Sequence, residues 1–240
     1  MALPVWRTDD TFWDSDVTMP GSFVAWAPGA SDGVRRPRLS AGLFSLPDGM
    51  SRFYGSLWAV QVEQPLAFAR HRLRTSAAFL GIQGVDDVRY VSREHAARDY
   101  QLAVLNIEWR PPLGAWSPVV SAMATRNFNS YDPAGRDTYA ARFHDDRWGA
   151  SASLQVGRSG KAGDVRFFYR YLYLEALAVA PVLGTNGISR FGASDFKAHE
   201  IGLRVTLPRR AYFQPKLATA ERLSNGDRAV RYRVDFGWSF

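Results

Sequence analysis

The sequence of 240 residues contains no cysteine, which excludes disulfides and thiolate metal sites. It also contains no apolar run of about 18 residues, and this absence excludes a transmembrane helix. The most apolar stretch, YLYLEALAVAPVL, is interrupted by Glu175 and Pro181. The first ten residues, MALPVWRTDD, lack the charged and apolar regions of a signal peptide, so we expect a mature or truncated form of an exported chain.

The sequence has no Gly-rich phosphate loop, zinc-ligand spacing or nucleotide-binding fingerprint, so we expect no cofactor and no enzymatic activity. Lysine is scarce, and arginine carries almost all of the formal charge of +7. The arginines are spread along the chain instead of forming a basic segment, which argues against nucleic acid as a partner. Hydrophobic content of 46% and aromatic content of 14% exclude a disordered chain. A mean hydropathy of −0.23 is too polar for a helical membrane protein.

The dominant pattern in the sequence is strict alternation of apolar and polar residues. The final segment, VRYRVDFGWSF, has an apolar residue at every even position from Val230 to Phe240 and a polar residue or glycine at every odd position. Because successive side chains of a strand point to opposite faces, this pattern predicts a strand with one apolar and one polar face. An apolar face with an aromatic residue at its end is typical of a membrane-barrel strand.

The same alternation recurs along the chain and predicts about eleven strands of membrane-spanning length. They cover 20–26, 38–46, 52–62, 70–82, 100–109, 117–128, 148–157, 165–174, 199–207, 212–222 and 230–240. Short connections alternate with long ones, as periplasmic turns and extracellular loops do in outer-membrane proteins. The predicted fold is therefore an all-β, antiparallel transmembrane β-barrel, with about 11–12 strands in a single domain covering residues 1–240.

An odd number of strands conflicts with the even numbers found in bacterial single-chain barrels. Two explanations are open: residues 2–13 supply a twelfth strand, or the chain is the C-terminal part of a larger barrel with further strands upstream. We expect the second.

The segment FFYRYLYLEALAVAPVLGTNGISRFGASDFKAHEIGLRVTL resembles the C-terminal region of the outer-membrane porin family of Gram-negative bacteria. The early segment TDDTFWDSDV is similar to an acidic, aromatic strand end midway along those porins, so the resemblance covers residues 8–240. The chain departs from the family at Leu177, where the porins have Asp, and at Ala198, where they have Gly. The matching residues, in order, are Tyr169, Arg170, Tyr171, Glu175, Ala176, Ser194, Asp195, Phe196, Lys197 and His199.

The resemblance implies a barrel in the bacterial outer membrane that lets small hydrophilic solutes diffuse passively, and it implies no particular solute. Its expected partners are outer-membrane lipid, lipopolysaccharide and those solutes, with a second copy of the chain or another envelope protein as a further candidate. The main rival function is a structural or scaffolding barrel, plugged by its own side chains within a larger assembly. Inward-pointing Phe168, Leu172 and Leu174 would favour that plugged barrel.

Polar positions of the last four strands supply the candidate pore wall. These residues are Arg166, Arg170, Arg204, Arg231, Arg233 and Asp235. Rings of arginine attract anions, so an open pore lined by them would favour anionic solutes. The alternative is an ion-pair network with Asp235, Glu200 or Glu175 that stiffens or plugs the barrel, and we consider this the more common use of such residues.

Other candidate sites are weaker. His144 with Asp145 and Asp146 would resemble a protease site if Asp86 and Asp87 faced them, but a solvated loop explains these residues better. Ser194 and His199 could begin a hydrolase site, although nothing supplies a third member. The acidic residues between Asp14 and Asp16 and the segment DPAGRD lack the ligand spacing of a calcium loop.

Most tryptophans lie near strand ends, as in an interfacial girdle: Trp6, Trp13, Trp26, Trp58, Trp109, Trp116, Trp148 and Trp238.

Overall fold

The computed structural model describes residues 5–12, 19–28, 36–48, 52–83, 98–116, 118–180, 183–184, 188 and 190–238. These residues form one antiparallel sheet of eleven strands, in which each strand pairs with the next along the chain. The strands are β1 (Gly21–Trp26), β2 (Arg38–Asp48), β3 (Arg52–Phe68), β4 (His71–Gln83), β5 (Tyr100–Arg110), β6 (Val119–Asn127), β7 (Trp148–Gly157), β8 (Val165–Leu174), β9 (Phe196–Thr206), β10 (Ala211–Arg222) and β11 (Arg228–Trp238). The all-β, antiparallel prediction is confirmed, with eleven strands.

Strand β3 differs most from its predicted bounds. The segment 64–68, predicted as a connection, continues the strand, and β3 pairs with β4 as far as Phe68 and His71. Only Ala69 and Arg70 form the turn, and Ala69 has a φ of 51°. Pro65 is compatible with this strand because the pairing of β2 with β3 ends at Glu63, so beyond it β3 is bonded on one side only.

The two faces of the sheet differ sharply in burial. In β5, the side chains of Leu102 and Val104 are buried, whereas Leu105 and Ile107, which point the other way, are exposed. The cross-strand register carries this division through the sheet, because partners in an antiparallel ladder share a face. We call the face of Leu102 the inner face and the face of Leu105 the outer face.

The inner face is buried although no second layer of helices or strands covers it among the described residues. The only helices described are α1 (Thr138–Arg142) and two single 3₁₀ turns. Buried inner-face side chains from Phe44 in β2 to Ala220 in β10 belong to one apolar cluster. In a flat sheet these strands would lie about 38 Å apart, at roughly 4.8 Å per strand. The sheet therefore curls around its inner face.

Among the described residues the sheet is not closed, and its two edge strands are β1 and β11. Strands β1 and β11 form no ladder with each other among the described residues. Both are odd-numbered members of an antiparallel series and so run in the same direction, which means that a direct pairing between them would be parallel. Within the described ranges, no helix is long and apolar enough to cross a lipid bilayer.

The connections define two ends of the curled sheet. One end, which we call the turn end, carries the connections that follow odd-numbered strands, such as the short β3–β4 and β9–β10 turns. The other end, the loop end, carries the longer β6–β7 and β8–β9 connections. Because the strands alternate in direction, each inner-face residue can be placed by its distance from these two ends.

Candidate functional site

The interior of the curled sheet is the candidate site, and at the loop end it is apolar. Leu57, Leu80, Leu102, Leu172 and Leu174 point inward from four strands, and each is at most 1% exposed. Such leucines pack against one another because burial removes their apolar surface from water. This part of the interior is a packed core and not a polar passage.

The β8–β9 connection folds over this core. Leu177 and Ala178 are fully buried. The carbonyl oxygen of Leu177 accepts a hydrogen bond of 2.9 Å from the side-chain amide of Asn127, at the loop end of β6. A Cβ built on Gly149, in β7, would lie 3.3 Å from the Cβ of Ala178, so the connection packs tightly against the strand. The loop end is therefore closed from inside by residues of the same chain.

Residues 5–12 lie inside the curl, in the middle of its length, and form no strand. The backbone N–H of Trp6 donates to Oε1 of Gln61, and Nε2 of Gln61 donates to the Trp6 carbonyl, both at 2.7 Å. The backbone N–H of Thr8 donates to Oδ1 of Asn106 at 3.2 Å. Gln61 and Asn106 are inner-face residues of β3 and β5 and are almost completely buried. Side-chain amides thus bind backbone groups that a neighbouring strand would otherwise bind.

This arrangement corrects the suggestion that residues 2–13 supply a twelfth strand, as far as residues 5–12 are concerned. The segment is held by side chains of β3 and β5 and has no ladder partner in the part of the chain that the structure describes. Phe12 is 1% exposed and Thr11 is fully buried. A Cβ on Gly184 would lie 2.7 Å from the Thr11 carbonyl oxygen, so the β8–β9 connection and residues 5–12 are in direct contact. We call residues 5–12 the inner segment.

An ion-pair network fixes the inner segment to the opposite wall. Arg170, on the inner face of β8, lies 3.0 Å from Oδ2 of Asp9 and 2.7 Å from Oε2 of Glu200. The three side chains are 19%, 7% and 9% exposed, so water screens them little. Arg170 thus has the network partner Glu200 that the plugging alternative named. Its charge is satisfied within the chain.

The remaining candidate pore residues lie on the inner side but do not form one ring. Arg166 and Arg204 are direct cross-strand partners near the turn end. Arg231 and Arg233 belong to the edge strand β11 and are exposed. Asp235 lies between two cations: the Nε of Arg233 is at 2.5 Å and the Nζ of Lys216 at 2.8 Å. Phe168, Leu172 and Leu174 point inward, which is the arrangement that the plugged-barrel alternative requires.

The residues proposed for catalysis are not brought together. His144 Nε2 lies 3.1 Å from Asp145, but the two side chains are 38% and 78% exposed. Asp86 and Asp87, which would have to face them, lie outside the described residues. Ser194 is buried and donates to the Ala176 carbonyl at 2.9 Å.

His199, the proposed partner of Ser194, is exposed on the outer face and lies 2.8 Å from the hydroxyl of Tyr169. The two residues therefore belong to different environments. The described residues contain no group of three or more His, Cys, Asp or Glu arranged to hold a metal ion. The acidic segment 14–16 lies outside them.

The DPAGRD segment organises the loop end instead of binding a cation. Asp137 caps α1 by accepting hydrogen bonds of 3.1 Å from the backbone N–H groups of Tyr139 and Ala140. The guanidinium of Arg98, 4% exposed, donates to both Asp137 oxygens, at 2.6 Å for the Nη2–Oδ1 pair. Partial burial raises the pKa of Asp137, but the hydrogen bonds from Arg98 and Ala140 outweigh it, so the pKa lies below its ordinary value.

Tryptophans divide between the outer face and the interior. Trp26, Trp109, Trp148 and Trp238 lie at strand ends and are exposed, as the girdle interpretation predicts. Trp6 differs, because it lies inside the curl with the Arg74 guanidinium 4.2 Å from its ring centroid. The sequence carries a signal that Trp6 and its neighbours lie inside the curl. Gln61 and Asn106 fall at inner-face positions, and buried side-chain amides need hydrogen-bond partners in the interior.

Comparison of the chain with protein-family models, with curated proteins and with solved structures finds no match.

The ion-pair network supplies a stability prediction. Arg170→Gln leaves Asp9 and Glu200 close together and mostly buried without their cation, and we expect a loss of about 3–5 kcal/mol in the free energy of unfolding. Asp10→Asn is the matched control, because Asp10 belongs to the same segment but its side chain is 47% exposed, and we expect at most about 1 kcal/mol. Urea unfolding, followed by tryptophan fluorescence, measures the free energy of unfolding of both variants and of the wild type. Equal losses would contradict a special role for Arg170.

The Asp137 cap supplies a pH prediction. A carboxyl whose pKa is lowered by folding stabilises the protein above its unfolded pKa, and that stabilisation is lost as the pH falls through the folded pKa. We therefore expect Asp137→Asn to lower the urea midpoint above about pH 4 and to match the wild type at lower pH. Unfolding curves of both proteins between about pH 7 and pH 2 give the comparison. A difference that persists at the acid limit would show that the charge of Asp137 is not responsible.

Proposed function

We propose that this chain is an outer-membrane β-barrel whose interior is occupied by its own residues, and that it serves as a structural or scaffolding protein of the envelope. The observation that carries the proposal is the closed interior. The packed leucines fill the loop end, and the inner segment lies across the middle of the curl. The described residues leave a hydrophilic solute no continuous polar path through this interior.

The outer face supports the membrane part of the proposal. Large apolar side chains are exposed along it from β1 to β11, including Leu43 at 70%, Leu105 at 59% and Phe236 at 69%. Exposed apolar surface of this extent is unfavourable in water and is usually covered by another surface. Lipid covers such a face in a membrane barrel, where apolar and polar positions alternate along each strand.

The loop end of the outer face also fits a membrane interface. The Arg126 guanidinium lies 4.6 Å from the Trp148 ring centroid and 5.3 Å from that of Phe128. Aromatic rings favour the headgroup region of a bilayer, and a guanidinium held beside them is placed to bind phosphate. We therefore propose outer-membrane lipid and the phosphates of lipopolysaccharide as partners, in the bacterial outer membrane.

Passive diffusion of small anions remains a second candidate function, because the interior at the turn end is open, polar and rich in arginine. In that case the inner segment acts as a removable plug. Its hydrogen bonds to Gln61 and Asn106 and its ion pair with Arg170 would all have to break before solute could pass.

Planar-bilayer recording distinguishes the two functions. We expect the wild-type protein, folded in detergent, to insert without stable single-channel openings, because the leucine core and the inner segment block the interior. Folding of the protein before the recording is verified independently by the change in electrophoretic mobility on heating that folded barrels show. Steady openings of the wild-type protein, with a reversal potential favouring anions in a salt gradient, would contradict the closed scaffold and support the diffusion channel.

A further inference from the structure

The turn end of the interior contains a cavity of about 750 Å³ that is lined mostly by cations. Its walls come from the turn ends of β4 to β8 and from the connections between them. Two carboxylates, Glu108 and Asp164, line it as well, which leaves four positive charges without a matching negative charge. The lining cations are Arg70, Arg72, Arg110, Arg158, Lys161 and Arg166. We call this cavity the basic vestibule.

The two carboxylates are already engaged. Glu108 pairs with Arg110, the Nε–Oε1 distance being 2.9 Å. Oδ2 of Asp164 accepts hydrogen bonds of 2.8 Å from the backbone N–H groups of Gly160 and Lys161, which stabilises the β7–β8 turn. Among the described residues, the Arg110 pair is the one ion pair within the vestibule.

Like charges face each other across the strands of the vestibule. Arg72 is the direct cross-strand partner of Arg110, and Arg166, which lines the cavity, is the direct partner of Arg204. Like charges in directly opposite positions destabilise a sheet. The Nε of Arg204 is buried without a hydrogen-bond partner in the described part of the chain, and its guanidinium lies 3.7 Å from the Tyr212 ring centroid.

Among the described residues, Glu108 is the one carboxylate that pairs with a lining cation, and a bound anion would reduce the repulsion that remains. We propose that the basic vestibule binds a small phosphate-bearing anion, with Arg72 and Arg110 contacting it from one wall and Arg166 from the other. This binding site goes beyond the proposed scaffolding function and does not depend on solute passage. It requires only the folded chain.

Several features of the vestibule favour phosphate over a simple carboxylate. A guanidinium fork binds two oxygens of a phosphate or carboxylate in one plane. Arginines approaching from two walls, β4–β5 and β8, meet a tetrahedral or doubly tetrahedral anion in several directions, whereas a single carboxylate offers only one plane. Pyrophosphate carries enough negative charge to neutralise most of the four uncompensated cations, and the cavity is large enough to hold it. The vestibule lies inside the curl, which favours a soluble anion over a lipid headgroup.

Isothermal titration calorimetry with sodium pyrophosphate tests the proposal on the folded full-length chain in a nonionic detergent. We expect saturable binding with one pyrophosphate per chain, and malonate should bind at least about tenfold more weakly because it lacks the tetrahedral oxygens. The double variant Arg72→Gln and Arg166→Gln should weaken pyrophosphate binding about tenfold or more, because two charge-assisted contacts are lost. Arg166→Lys keeps the charge but loses the fork, and a smaller loss of affinity is expected.

The control variant carries Arg136→Gln and Arg228→Gln, which remove the same net charge from exposed positions away from the vestibule. It should bind pyrophosphate as tightly as the wild type. Equal weakening by the two double variants would mean that binding follows net charge, and the proposal would be wrong. Absence of saturable binding, or malonate binding as tightly as pyrophosphate, would also overturn it. If the vestibule double variant does not fold, as judged by circular dichroism, Arg166→Lys decides the outcome.

Discussion

The hydrogen bonds between two buried side-chain amides and the backbone of residues 6–8 determine how the rest of the interior is built. Gln61 both donates to and accepts from Trp6, and Asn106 accepts from Thr8. A backbone segment inside a curled sheet needs such partners, because buried N–H and C=O groups without hydrogen bonds are costly. With the inner segment held there, Asp9 reaches Arg170, and the β8–β9 connection can pack against the segment from the loop end.

The interior consequently changes in chemistry along the axis of the curl. Leucines pack at the loop end, amides and the Arg170 ion pairs occupy the middle, and uncompensated arginines line the turn end. This order explains why the same chain has a blocked interior and an open basic vestibule. It also separates two roles of arginine: Arg170 stabilises the chain from within, whereas Arg166 has no carboxylate partner among the described residues and faces a cavity.

Most of the sheet could be predicted from the sequence, because alternation over nine to eleven residues reports directly on two faces of different polarity. The end of β3 could not, since Pro65 reads as a strand breaker and is compatible only because β2 ends beside it. The inner position of Arg166 and Arg170 followed from alternation alone. Their different environments did not, because Asp9 lies 161 residues from Arg170 along the chain and Trp6 lies 55 residues from Gln61. The vestibule was missed because Arg72 and Arg110 belong to strands whose pattern is less regular at the turn end.

Disulfide trapping tests most directly whether the inner segment lies inside the sheet, since the chain has no cysteine of its own. Thr8 Oγ1 lies 3.2 Å from Asn106 Oδ1, so Thr8→Cys with Asn106→Cys should form a disulfide on mild oxidation of the folded protein. Thr8→Cys with Leu105→Cys should not, because Leu105 directly precedes Asn106 in β5 and points to the outer face. Efficient trapping of the first pair alone is the predicted result. No trapping of the first pair, or equal trapping of both, would contradict an inner segment held by Asn106.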